Sequence, residues 1–278
     1  MLSRFTKMHG CGNDFVILDE RSHLLGLTPR GIAALADRRT GIGCDQVITL
    51  RPAPDGSNAD IAVRFFNADG SEAGACGNGT RCAAALLHAE SGRPHLIVQT
   101  ITRNLPVQVH SPTRVTVNMG QPRLDWPDIP LSEPADTLSL PLAEGPVSDP
   151  AAVSMGNPHV TFFVAHVGGI PVGQLGPVLE CHSLFPERAN IGFAEILGPD
   201  RLRVRVWERG AGLTLACGSG ACAALVNAHR RGLVGRTTTV EVDGGELEIE
   251  WLPNNHVLMT GPVATAFTGE VDLSTYSV

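Results

Sequence analysis

The sequence contains one pattern twice. Phe66-Asn-Ala-Asp-Gly, followed by Cys76-Gly-Asn-Gly-Thr-Arg-Cys-Ala-Ala-Ala-Leu, has a partner in Trp207-Glu-Arg-Gly-Ala and Cys217-Gly-Ser-Gly-Ala-Cys-Ala-Ala-Leu. Cys76 and Cys217 lie 141 positions apart, about half the 278-residue chain. Three further pairs follow in the same order. Gly12-Asn-Asp-Phe-Val matches Gly156-Asn-Pro-His-Val, Ile42-Gly-Cys-Asp-Gln matches Ile191-Gly-Phe-Ala-Glu, and Val63-Arg-Phe-Phe-Asn matches Val204-Arg-Val-Trp-Glu. Collinear matches of this kind mean one supersecondary unit used twice. The chain is therefore expected to be two copies of one fold.

The elements within each copy agree with that reading. Thr28-Pro29 supplies an N-cap and an N1 proline for a helix running to about Arg38, with a weaker counterpart near 173–183. Val63–Asn67 and Leu202–Glu208 read as strands. Thr80–Glu90 and Gly220–Arg231 are alanine-rich and read as helices. Leu96–Val109 and Thr238–Trp251 read as hairpins, the second turning at Asp243-Gly244-Gly245. Val115–Met119 and Val257–Met259 add a strand to each copy. Between the copies, residues 121–150 hold seven prolines and are expected to form an irregular connection.

Composition removes several chemistries. The chain has one lysine, Lys7, among its 21 basic residues. Schiff-base chemistry, including anything run on PLP, needs an activated lysine, and a Walker-type phosphate loop needs one after its glycines. Neither pattern surrounds Lys7, which reads as ordinary and non-catalytic. A net charge of −7 argues against a nucleic-acid partner. No stretch reads as a transmembrane helix or a signal peptide, so a soluble cytoplasmic protein is expected. Seven cysteines at irregular spacing then mean thiols rather than a disulfide framework. The spacing of cysteines and histidines also gives no zinc site.

Each Cys-Gly-x-Gly sits just ahead of a helix. The glycines let the backbone approach a ligand, and the helix start offers N–H groups and a positive dipole end. A thiol there is expected to be acidified by about one pKa unit, from roughly 8.5 toward neutrality. Two such turns facing each other would place a sulfur on each side of a substrate α-carbon. One thiolate would remove the α-proton and the opposite thiol would deliver one to the other face. The carboxylate bound at the helix starts would be stabilised as charge develops. This route uses neither cofactor nor metal. A lone cysteine is most often a small buried hydrophobe, and Cys11, Cys44, Cys82, Cys181 and Cys222 read that way.

These residues also resemble a known family. Met8-His-Gly-Cys-Gly-Asn-Asp-Phe, Gly41-Ile-Gly-Cys-Asp-Gln, Phe66-Asn-Ala-Asp-Gly-Ser-Glu, Met155-Gly-Asn-Pro-His, Asn190-Ile-Gly-Phe and Trp207-Glu-Arg-Gly-Ala-Gly, with the two cysteine turns and Met259-Thr-Gly-Pro, resemble diaminopimelate epimerase over nearly the whole chain. The resemblance implies an α+β fold of two pseudo-symmetric domains, each a strand-rich, barrel-like sheet around a central helix. It implies that the chain end returns to the first domain, giving residues 1–119 with 263–278 as one half and 120–262 as the other. Cys76 and Cys217 would be the acid/base pair. The reacting carboxylate would lie on N–H groups of Gly77, Asn78, Gly218 and Ser219. The distal amino-acid head would be held by Asn67, Asn157, Asn190, Glu208 and Arg209, with Asn13 and Gln46 near the substrate. His159 and Glu208 would tune the sulfurs. The implied activity is interconversion of LL- and meso-diaminopimelate in lysine and peptidoglycan-precursor biosynthesis, without cofactor, by a homodimer. Cys11 and Cys44 stand where the family more often has a non-thiol residue.

Two other readings compete. A proline or hydroxyproline racemase would share the two thiols but would have no use for a zwitterion-binding set such as Glu208-Arg209 with three asparagines. A thiol-switch binding protein would use a reversible Cys76–Cys217 disulfide, which on the enzymatic reading is only an inactivating oxidation product.

Overall fold

A computed structural model describes residues 2–276. The chain divides into two compact units, Met1–Val117 with Gly261–Val278, and Asn118–Thr260.

The first unit contains β1 (Leu2–Gly10), β2 (Asn13–Asp19), α1 (Pro29–Ala36), β3 (Gln46–Arg51), β4 (Ile61–Asn67), β5 (Glu72–Ala73), α2 (Gly77–Ser91), β6 (His95–Gln99), β7 (Asn104–Ser111) and β8 (Arg114–Asn118). Its sheet pairs β1 with β2 antiparallel, β2 with β3 parallel, and β3 with β4 antiparallel. It continues with β4–β6 parallel, then β6–β7 and β7–β8 antiparallel. Helix α2 packs against β1, β2, β4, β6 and β7, so the sheet curls round it. That burial explains the alanine run: Ala83 and Ala84 are wholly enclosed, and larger side chains would not fit between helix and sheet.

The second unit contains β9 (Ala143–Glu144), β10 (Val147–Ser148), β11 (Ala151–Ser154), β12 (Pro158–Phe163), α3 (Val172–Glu180), β13 (Asn190–Gly198), β14 (Arg201–Glu208), β15 (Gly212–Leu213), α4 (Gly218–Arg230), β16 (Thr237–Val242), β17 (Gly245–Trp251) and β18 (Val257–Pro262). From β11 onward the pairing runs antiparallel, parallel, antiparallel, parallel, antiparallel and antiparallel, the order of the first unit. Helix α4 lies inside as α2 does. A last strand, β19 (Ala264–Asp272), pairs antiparallel with β1 and so belongs to the first unit.

The strand registers correct one of the repeat matches. Phe15 pairs with Gln46 and His159 pairs with Asn190, so Gln46 is equivalent to Asn190, 144 positions on. The sequence match of Ile42 to Ile191, 149 positions apart, is therefore out of register. Ile42 precedes β3 in a loop, whereas Ile191 lies inside β13. Gln46 pairs with Asn67, and Ile191 with Trp207, which brings Asn190 and Glu208 together at the strand ends. Four equivalent pairs result: Asn13 with Asn157, Gln46 with Asn190, Asn67 with Glu208, and Cys76 with Cys217.

Other differences have local causes. Helix α1 stops at Ala36 because Asp37 is extended. Helices α2 and α4 begin at Gly77 and Gly218, so the glycines form the first turn and each cysteine is the N-cap residue. The proline-rich segment is irregular yet not a loose connection. Ile129, Leu131, Leu140, Leu142 and Val147 are buried in the core of the second unit beside Phe162 and Phe193. Cys181 is exposed at the end of α3, unlike Cys11, Cys44, Cys82 and Cys222, which are buried.

Candidate active site

Each unit has one such cluster, where a helix start meets the ends of its inner strands. In the first unit Cys76 has an extended backbone, and its sulfur accepts the Gly79 N–H at 3.4 Å. The third-position glycine is needed for packing as well as for the turn. A Cβ at Gly79 would meet Phe65 at 2.7 Å and Ile48 at 2.9 Å. At the equivalent Gly220 it would meet Val206 at 2.8 Å. Side-chain-free backbone thus lets each helix start press onto its strand.

The Cys76 thiol faces Asn13 Oδ1 at 3.9 Å, and Asn78 Nδ2 donates to the same oxygen at 3.1 Å. Asn13 Nδ2 donates to Asp45 Oδ2 at 2.8 Å, which fixes the orientation of the amide. Behind it, Arg38 donates to Asp14 at 2.6 Å and to Asp45 at 2.8 Å. Lys7, only 8% exposed, pairs with Asp14 at 2.6 Å and donates to the Gly43 carbonyl. Burial alone would raise the Asp14 pKa, but hydrogen bonds and charge from Arg38 and Lys7 outweigh it and bring it down to about 2. The one lysine is thus a buried structural cation, not a solvated side chain. Gln46 Nε2 donates to Asn67 Oδ1 at 2.9 Å, and Asn67 Nδ2 donates to Ser71 Oγ at 3.0 Å. Cys44 is pushed up to about 12 by burial, and Cys82 likewise, so both are inert thiols at neutral pH.

In the second unit the carboxylate sits where the first unit has Asn67. Cys217 Sγ donates to Glu208 Oε2 at 3.0 Å, and Thr214 Oγ1 donates to Glu208 Oε1. Ser219 Oγ lies 3.7 Å from the sulfur and 3.0 Å from His159 Nε2, which also faces Asn157 Oδ1 at 3.1 Å. A ring nitrogen facing an amide oxygen is best protonated, so the neutral ring carries its hydrogen on Nε2. His159 is held down to about 3 by burial and then by the charge of Arg209. Asn190 Nδ2 donates to the Pro158 carbonyl at 2.8 Å, and its Oδ1 accepts the Arg209 N–H at 3.0 Å. The exposed Arg209 guanidinium donates to the Glu187 carbonyl at 2.9 Å.

The expected acidification of both thiols fails at Cys217. Its pKa is raised well above the ordinary thiol value, first by burial and then by the Glu208 charge and hydrogen bond, against weaker pulls from the Gly220 backbone and Ser219. A helix start lowers a thiol by about one unit, whereas enclosure raises one by up to about 3–5 units. Cys217 therefore stands protonated, its hydrogen aimed at a carboxylate. Both Glu208 oxygens are engaged within the unit, one by the sulfur and one by Thr214. His159 is linked to Cys217 through Ser219. The Ser219 side chain, expected to matter only through its backbone, is that bridge. Reading the sequence also missed Asp14, Arg38, Asp45 and Thr214. Asp14 and Asp45 lie inside quoted motifs, but Arg38 and Thr214 have no local signature.

With this geometry in view, the similarity to known proteins is specific. A family model described as Diaminopimelate epimerase matches residues 5–124 and 151–266, leaving out most of the proline-rich segment. A diaminopimelate epimerase of Acidiphilium cryptum (strain JF-5) is 60% identical over 268 residues, covering 96% of each chain. Another, of Rhodospirillum centenum, is 56% identical over 271 residues, covering 98% of this chain and 93% of that one. Among solved structures, a hydroxyproline epimerase from Agrobacterium vitis with bound trans-4-hydroxy-L-proline aligns with a TM-score of 0.71 at 15% identity, covering 97% of this chain and 92% of that one. At that identity the likeness extends to the fold alone, which it marks as the two-domain α+β architecture. The proline-type alternative thus shares the scaffold, while the two relatives above, more than half identical over nearly the whole chain, are diaminopimelate epimerases like the matching family model: the chain belongs to the diaminopimelate epimerase family.

Proposed function

We propose that the protein interconverts LL-2,6-diaminopimelate and meso-diaminopimelate as a cofactor-independent epimerase, with Cys76 and Cys217 as the acid/base pair. One observation carries the two-thiol reading within this family. The same helix start, with a cysteine N-cap and two glycines, is built at equivalent places in both units. A thiolate takes the α-hydrogen as a proton, and its electron pair passes into the adjacent carboxylate. The other thiol then protonates the opposite face. The two sulfurs end with their protonation states exchanged, and proton transfer to solvent resets them. Carboxylate charge is met by N–H groups at the starts of α2 and α4, at Gly77, Asn78, Gly218 and Ser219.

The Glu208 carboxylate beside Cys217 gives that thiol a place to put its proton when it must act as base. On this reading Glu208 serves the sulfur. The distal head falls to Asn67, Asn157, Asn190 and Arg209, the last able to grip a carboxylate in two places. Asn13 and Gln46, on the first unit, stand near the substrate. We place the enzyme in the cytoplasm, within lysine and peptidoglycan-precursor synthesis. Among the described residues no helix is long and apolar enough to cross a membrane. We read it as a homodimer, a reading supported by Phe267 of β19, which pairs with Lys7 of β1 and is 50% exposed.

The test is an assay of reduced enzyme with LL-diaminopimelate in heavy water. Meso product carrying deuterium at one α-carbon is expected, and the Cys76→Ala and Cys217→Ala variants are each expected to be inactive. Exchange of the proline α-hydrogen with LL-diaminopimelate left unchanged would refute the assignment. Sedimentation of the purified protein decides the dimer.

A further inference from the structure

Glu208 and Arg209 sit where β14 ends, and a carboxylate outside every quoted motif brackets them. Glu180, the last residue of α3, is 7% exposed. Its Oε2 accepts the indole N–H of Trp207 at 2.7 Å, and its Oε1 accepts the backbone N–H of Gly210 at 3.1 Å. These donors are the residues immediately before and after the Glu208-Arg209 pair. Helix α3 comes this close only because residue 176 has no side chain. A Cβ at Gly176 would lie 2.4 Å from Trp207 Cγ. Arg188 Nη1, 3.6 Å from Glu180 Oε1, partners the charge. Asn190 restrains the same turn through the Arg209 N–H at 3.0 Å. The equivalent Asn67 of the first unit is held differently, by Gln46 and Ser71.

We propose that Glu180 is a positioning residue for the epimerisation: by gripping Trp207 and Gly210 it holds the Glu208 carboxylate in register on the Cys217 sulfur. The proposal rests on the reading of Cys217 and Glu208 as an acid/base unit. Glu180 touches neither group and acts through the turn between its two donors. Hydrogen bonds to a charged acceptor are the strong, short kind, and two of them from fixed points leave the intervening residues little freedom. Proton transfer between Sγ and Oε2 needs the hydrogen-bond distance kept, and a displacement of about 1 Å can lower turnover about 100-fold.

The test uses the full-length reduced enzyme and the variants Glu180→Ala, Glu180→Gln and Trp207→Phe. Two quantities are measured: kcat/KM for LL-diaminopimelate, and the pH dependence of Cys217 alkylation by iodoacetamide, assigned by peptide mass. In Glu180→Ala we expect kcat/KM to fall about 30-fold and the alkylation profile to move about one pH unit lower, as the Glu208 charge leaves the sulfur. Glu180→Gln keeps an acceptor for one donor and turns an NH2 on the other, so it shifts both readouts the same way by less. Trp207→Phe does likewise. If Glu180→Ala does not fold, the other two variants decide the matter. In a Glu208→Gln background, adding Glu180→Ala should leave the alkylation profile where Glu208→Gln alone puts it. An unchanged profile in Glu180→Ala and Glu180→Gln, or a further shift in the Glu208→Gln background, would overturn the proposal. Alkylation needs no substrate, so it still decides the role of Glu180 if the wild-type protein does not epimerise diaminopimelate.

Discussion

His159 offers a sharp quantitative check. It is 1% exposed, and its pKa is held at about 3 by burial and by Arg209, against 6.5 for the free side chain. The folded value lies below the unfolded one. As pH falls, the unfolded chain therefore binds a proton first and gains stability relative to the native state. The contribution of the neutral ring is intact above pH 6.5 and is lost progressively down to pH 3. At pH 5 the loss relative to pH 8 is about 2 kcal/mol, and its limit below pH 3 is about 5 kcal/mol. His159→Gln removes this titration while keeping a polar side chain. Trp126, Trp207 and Trp251 all lie in the unit that holds His159, so tryptophan fluorescence follows the unfolding of that unit. Urea titrations at pH 8 and pH 5 should show the wild type losing about 2 kcal/mol more than the variant. Equal losses in the two proteins, or a His159 ring proton titrating near pH 6.5 by NMR, would refute the account of a buried neutral ring.

Three further outcomes are expected. Asp14→Asn leaves the Lys7 ammonium buried without its anion and should cost about 3 kcal/mol in denaturant unfolding; most of it should return in the Lys7→Met, Asp14→Asn double variant. Asp45→Ala removes the acceptor that orients the Asn13 amide. It should lower kcat/KM about 10-fold with little change in Tm, and an unaltered kcat/KM would separate Asn13 from the chemistry. Alkylation of the folded enzyme at the exposed Cys181 should leave turnover intact, whereas activity lost in step with Cys181 modification would require a role for α3 beyond the one derived from Glu180.

Most of the fold was legible because it was written twice. The repeated Cys-Gly-x-Gly, the alanine-rich runs and the alternating strands carry local signals whose period matches helix or strand. The glycine positions were also readable, although part of their reason was not. Gly79 and Gly220 are demanded by Phe65, Ile48 and Val206, residues brought close only by folding. The proline-rich segment misled because prolines mark irregular backbone and say nothing about burial. Its leucines are spaced without period and still fill a core. The Ile42 match failed for a related reason. Similar residues recur in sequence, but the equivalence of strand ends is set by hydrogen-bond register, and there Gln46 stands with Asn190.

The candidate site divides along the same line. Residue type and position relative to a helix start are local properties, so the sequence alone nominated Cys76 and Cys217, while the amide set came from the family resemblance. The protonation state of Cys217 is not local. It depends on the water excluded around the sulfur and on a carboxylate nine residues earlier, at the end of β14. Tertiary packing therefore decided that this thiol is held protonated and that its hydrogen meets Glu208. Packing also made the lone Lys7 a buried counterion and set Glu180, from a third element, to bracket the turn. Desolvation and register sum over the whole fold, and no window of the sequence contains them.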